Sequence, residues 1–113
     1  AETLYAWGNV AAGTNLVNIT SGTIHTMTLT GNFVFNGITN AAQGNSVTLI
    51  ITQDGTGART FTTSTNANTV WAGGVKALST AANAVDVVSL MFVGTTGTTV
   101  GAYKASIARG FTS

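Results

Sequence analysis

A glycine recurs every few residues along a chain otherwise rich in Thr, Val and Ile. That alternation of β-formers and breakers leaves little room for anything but short strands. β-branched and aromatic side chains suit a pleated, half-buried surface. Frequent Gly cuts such a surface into pieces too short for stable helices. The chain has 113 residues, with 22 Thr, 14 Gly, 10 Asn, no Pro and no Cys. One domain is the expectation at this length. Hydrophobic residues make up 44%, enough for a core, whereas charged residues make up 6%, against about 25% in an average soluble domain. The surface must therefore be built from hydroxyls, amides and backbone.

The strand pattern follows from alternation. Thr14–Thr20 is a first candidate. Thr23–Thr30 (TIHTMTLT) places His25, Met27 and Leu29 on one face and Ile24 with three Thr on the other. Gly31-Asn32 signals a turn, and Phe33 and Phe35 bracket the next strand, so a hairpin is predicted here. Val47, Leu49 and Ile51 share a face. Asp54-Gly55 and Gly57 then supply a turn, and Arg59–Thr65 returns, predicting a second hairpin. Thr69–Ala72 is a short strand ended by Gly73-Gly74. Leu78–Ala84 reads as a loop laid on the core. Val85–Val93 is the most apolar segment, predicted as a central strand covered on both faces. Thr99–Ala105 returns after Gly94–Thr98. About eight short strands result, without a convincing repeat of 20–50 residues. The expected fold is all-β: an antiparallel β-sandwich or a jelly-roll-like barrel. Residues 1–13 read as an N-terminal arm and 14–113 as a single β-domain. Ala1 suits either loss of an initiator Met or trimming from a longer chain.

Composition excludes several chemistries. The four basic residues Arg59, Lys76, Lys104 and Arg109 are scattered, whereas phosphate contacts need clusters, so no nucleic acid is expected as a partner. No apolar run approaches 18 residues, and no membrane span is predicted. With one His and no Cys, no zinc site, other metal site or cofactor is expected. The carboxylates Glu2, Asp54 and Asp86 are isolated, and glycoside hydrolysis needs two flanking one bond. His25 lacks a triad order with either Asp, so no catalytic residue is assigned and no enzyme is expected. Asp54 is read as capping its own turn and pairing with Arg59. Asp86 sits between Val85 and Val87, where a carboxylate must be hydrogen-bonded; backbone N–H groups of the Leu78–Ala84 loop are the expected donors. His25 is read as a satisfied core or interface histidine. Tyr5, Trp7 and Trp71 are the candidate partner-interface residues, because aromatics concentrate at interfaces. Trp71 could alternatively offer a sugar-stacking face.

Three separated motifs carry a resemblance: Ile51–Thr62 (ITQDGTGARTFT), Val70–Gly74 (VWAGG) and Leu78–Asp86 (LSTAANAVD), with Ser21–Phe33 fitting an opening hairpin. Together they resemble a β-rich module of tailed-phage structural proteins, found in tail fibres, tailspikes and small virion proteins. The resemblance spans roughly Ser21–Gly101. The module often has Trp where this chain has Thr63, and Pro where it has Ala77. The resemblance implies a virion component, assembled in the host cytoplasm, the expected partners being itself as a homotrimer and the major capsid protein or other virion proteins. Low charge agrees with an assembled state, since few Lys or Glu are available to protect sheet edges. Stand-alone length and the aromatic arm Tyr5–Trp7 favour a capsid decoration or cement protein. The alternative is a tail-fibre or receptor-binding domain recognising a host surface glycan.

Overall fold

The computed structural model describes residues 2–112. The reading of Ala1 falls outside them. Nine strands are present among the described residues: β1 (Leu4–Val10), β2 (Gly13–Asn18), β3 (Ile24–Leu29), β4 (Phe33–Thr39), β5 (Ser46–Gln53), β6 (Phe61–Thr63), β7 (Thr69–Trp71), β8 (Val85–Phe92) and β9 (Tyr103–Ala108). They form a six-stranded sheet in the order β1-β3-β5-β8-β9-β7 and a three-stranded sheet in the order β2-β4-β6. The all-β, two-sheet class agrees with the alternation in the sequence.

The pairing sense does not follow the antiparallel expectation. Five of the seven strand pairings are parallel; only β5–β8 and β8–β9 are antiparallel. The chain alternates between sheets, so β1–β2, β3–β4 and β5–β6 are three stacked coils. Positions 4, 24 and 48 align in one sheet and positions 13, 33 and 61 in the other. A structural repeat of 20 to 28 residues therefore exists, contrary to the sequence reading. Both hairpins predicted at Gly31-Asn32 and at Asp54–Gly57 are corners instead. At each, the chain leaves one sheet and enters the other. Backbone bonds carry the stacking through the corners: Thr30 N–H donates to Val10 O at 2.9 Å, Gly13 N–H to Asn32 O at 3.1 Å, and Phe33 N–H to Thr60 O at 2.8 Å.

The corners require close approach. Gly31 is buried, and a Cβ there would lie 2.8 Å from Ala12 Cα and Cβ and closer still to its amide nitrogen. Gly31→Ala must push two coils apart, with an expected cost of about 1–3 kcal/mol. Gly55→Ala, where a Cβ meets nothing within 4 Å, should change little. Thermal melting of the two variants separates them.

The core lies between the sheets. Phe33 and Phe61, in register on neighbouring coils, stack with centroids 5.3 Å apart. Phe35 packs edge-on against Tyr103 at 5.2 Å. The buried Tyr103 hydroxyl accepts the Ile38 N–H at 2.9 Å, tying the small sheet to β9. The β8–β9 hairpin closes the stack by covering the β5 edge antiparallel. β8 is not covered on both faces: Asp86, Val88, Leu90 and Phe92 point inward and are buried, while Ser89 and Met91 are exposed. Its central place in the sheet supplies backbone pairing on both edges, and the outer face stays open.

Residues 4–10 are a strand of this sheet, not a separate arm. Tyr5 pairs with His25 and Val10 with Leu29. A bulge between Ala6 and Asn9, where Gly8 has φ +72°, adds one residue to β1. Such a residue breaks the simple alternation and lets both Trp7 and Val10 reach the core. That bulge is why the segment lacked a legible strand pattern.

Candidate functional site

The polar residues singled out in the sequence fall into separate places. Asp54 sits at the corner after β5. Its Oδ1 accepts the Thr56 N–H at 3.2 Å and the Gly57 N–H at 3.0 Å, and its Oδ2 pairs with Arg59 Nη2 at 2.9 Å. The bond from Arg59 is the main reason its carboxyl lies below the usual range, followed by the Gly57 N–H. A lowered folded-state value contributes stability that is fully present above the unfolded value and is lost as pH falls through the folded one. Part of the acid-limb loss of melting temperature below about pH 4 should therefore vanish in Asp54→Asn. A melting series across that range reads it.

Asp86 joins three segments. Its Oδ2 accepts the Ser79 N–H at 2.6 Å; its Oδ1 accepts the Ser79 hydroxyl at 2.8 Å and the Gly110 N–H at 2.9 Å. Gln53, to which the sequence reading gave no role, does comparable work beside it. Its Nε2 donates to Arg59 O at 2.8 Å and Ser79 O at 2.9 Å, and its Oε1 accepts the Arg59 N–H at 2.9 Å. The signal was present: Gln53 continues the inward phase of Val47, Leu49 and Ile51, so its amide had to find partners.

His25 is 1% exposed. Its Nδ1 accepts the Trp7 indole N–H at 2.8 Å, and its Nε2 lies 2.8 Å from Gly22 O. Since a carbonyl only accepts, the ring is the neutral Nε2–H tautomer. Tyr5 stands 5.6 Å from the imidazole, and Trp7 meets Phe33 at 5.9 Å. Both ring nitrogens are thus committed to structure. Trp7 belongs to this chain's own packing, while Tyr5 remains 45% exposed.

Trp71 lies elsewhere, on β7, with its ring perpendicular to Phe61 at 6.1 Å. It lines a groove of about 420 Å³ with Phe61, Arg59, Lys76 and several Thr. Two further depressions, of about 370 and 260 Å³, lie along the six-stranded sheet near Met91 and near Ile50. Of the three, the Trp71 groove alone joins an aromatic ring, hydroxyls and more than one cation. Among the described residues, no three of His, Cys, Asp and Glu converge as metal ligands. No described helix is long and apolar enough to cross a membrane.

Comparison with protein families matches residues 11–97 to the family described as "Putative phage tail fibre C-terminal domain". The chain belongs to this family. It is accordingly a phage structural protein and a virion component. The match runs from the corner before β2 past the end of β8, and so covers β2 to β8, the Trp71 groove and the Ser79–Asp86 contact, but neither β1 nor Gly110. No curated protein and no solved structure gives a significant match to the chain.

Proposed function

We propose that the chain is the receptor-binding domain of a tail fibre, recognising a glycan on the host surface and working as a homotrimer after assembly in the host cytoplasm. The observation that carries this reading is the family match over residues 11–97. It favours the tail over capsid decoration, the reading that length and the aromatic N-terminus first suggested. That second argument has also lost a support, because Trp7 is engaged by His25 in its own chain. The surface suits a domain covered by copies of itself. Leu4, Leu16, Val70, Val100 and Phe111 are exposed apolar side chains, on a chain with few charges to repel a neighbour. No catalytic role is assigned to it.

Immunogold labelling of intact particles tests the location. Label at the tail tip, with a few to a few tens of copies per particle, is the expected result. Label spread over the head, with hundreds of copies, would return the chain to decoration. Purified domain should also compete with particles for adsorption to host cells. Mass photometry should give three chains per particle, and a strict monomer would remove the trimer.

A further inference from the structure

The two sheets leave an open seam where their edges meet. β6 ends the three-stranded sheet and β7 ends the six-stranded sheet. The Trp71 groove lies along this seam, with residues of β6, β7 and the 76–80 stretch lining it. Each of these strands is the end strand of its sheet and pairs with a neighbouring strand on one side only.

The lining combines three kinds of chemistry. Trp71 is half-buried and held edge-to-face against Phe61, giving a fixed apolar surface. Thr62 and Thr63 add hydroxyls that both donate and accept, and Thr69, whose hydroxyl donates to Ala67 O at 2.8 Å, adds an acceptor. A pyranose has the matching character, with a C–H face for an aromatic ring and equatorial hydroxyls for polar neighbours. The third element is charge. Two of the chain's four basic residues, Arg59 and Lys76, line the groove, and none of its three carboxylates does. Asp54 takes the Nε and Nη2 side of Arg59, leaving the remaining guanidinium N–H groups to other acceptors. Lys76 is exposed and makes no ion pair among the described residues.

We propose that this groove binds an anionic saccharide, with one pyranose on Trp71 and its carboxylate between Lys76 and Arg59. The ligand class is a uronic-acid unit of a surface polysaccharide. The proposal rests on the receptor-binding reading for its biological source, and its geometry is independent of it.

The test titrates the full chain with tetragalacturonic acid and, separately, with neutral maltotetraose, following the indole N–H resonances of Trp7 and Trp71. Trp7 is bonded to His25 and reports that the fold is intact. The acidic oligomer should shift the Trp71 resonance saturably and leave Trp7 in place, with affinity at least about tenfold above the neutral one at low salt. Lys76→Glu, a change at an exposed side chain, should abolish that preference with the Trp7 resonance unmoved. Trp71→Ala, which has no indole reporter at this position and is titrated by calorimetry instead, should show no heat of binding with either oligomer. No response at Trp71, equal affinity for the two oligomers, or an unchanged preference in Lys76→Glu would each overturn the proposal. Particle labelling keeps the two ideas apart. Tail label without a Trp71 response removes the groove and leaves the fibre reading standing. Head label with that response keeps the groove and removes the fibre reading.

Discussion

Asp86→Ala should lower stability by about 2–5 kcal/mol, because one carboxylate holds three donors in place and bonds to charged acceptors run about 1.5–3 kcal/mol each. The estimate falls short of a simple sum, since interactions in one network are not additive. Asp86 is 2% exposed, so water cannot replace the lost acceptor without opening the structure. Ser79 N–H and Gly110 N–H lose their partner together. The 76–80 stretch and the C-terminal segment, whose Phe111 N–H donates to Val85 O at 2.9 Å, should both loosen. Calorimetry should show a fall in melting temperature on the order of 10–20 °C. Hydrogen exchange should quicken first at Ser79 and Gly110. Asp86→Asn, which retains one accepting oxygen but turns an amide toward a donor, should fall between the two. Unchanged melting in Asp86→Ala would mean that the three bonds contribute no net stability.

The Asp86 anchor was legible because a charge in an apolar strand must be partnered; that Gly110 shares it was not, since nothing local links positions 86 and 110. The same contrast runs through the fold. β3 and β5 show their inward faces plainly, as His25-Met27-Leu29 and Val47-Leu49-Ile51. What those strands pair with is a separate matter. Gly31-Asn32 and Asp54-Gly55 mark where the chain changes direction, and the same residues serve a hairpin or a corner into a second sheet. Parallel stacking follows only when each strand finds the one two elements earlier. The repeat was hidden for a related reason. Aligned positions carry unlike residues, such as Tyr5, His25 and Leu49, and the coils differ in length. Trp71 could be flagged as a sugar platform from its chemistry alone. The groove beside it depends on two sheet edges meeting, and the spacing of Arg59, Trp71 and Lys76 in sequence does not reveal that.

Trp7→Ala should be as damaging as the loss of Asp86, and it decides between a free arm and a structural strand. A buried Trp truncated to Ala costs about 3–5 kcal/mol; Trp7 is half-buried, so about 2–4 kcal/mol is expected. Two effects combine. The ring's contacts with Phe33 and His25 are lost, and His25 Nδ1 is left buried without its donor. Trp7→Phe isolates the second effect, since it keeps an aromatic ring and removes the N–H; about 1–3 kcal/mol should remain. Deleting residues 1–8 should do more than either substitution. It strips most of β1 from the edge of the six-stranded sheet and exposes the β3 edge, with Ile24 and Thr26 alongside. An uncovered strand edge of this kind invites pairing with another chain, so the truncated protein should melt lower and aggregate at concentrations where the full chain does not. A free arm predicts the opposite: unchanged melting and unchanged solubility. Comparing the truncation with Trp7→Ala also separates the backbone from the side chain. If β1 acts mainly as edge cover, the truncation alone should aggregate, whereas both should melt lower if the Trp7–His25 bond holds the strand in place.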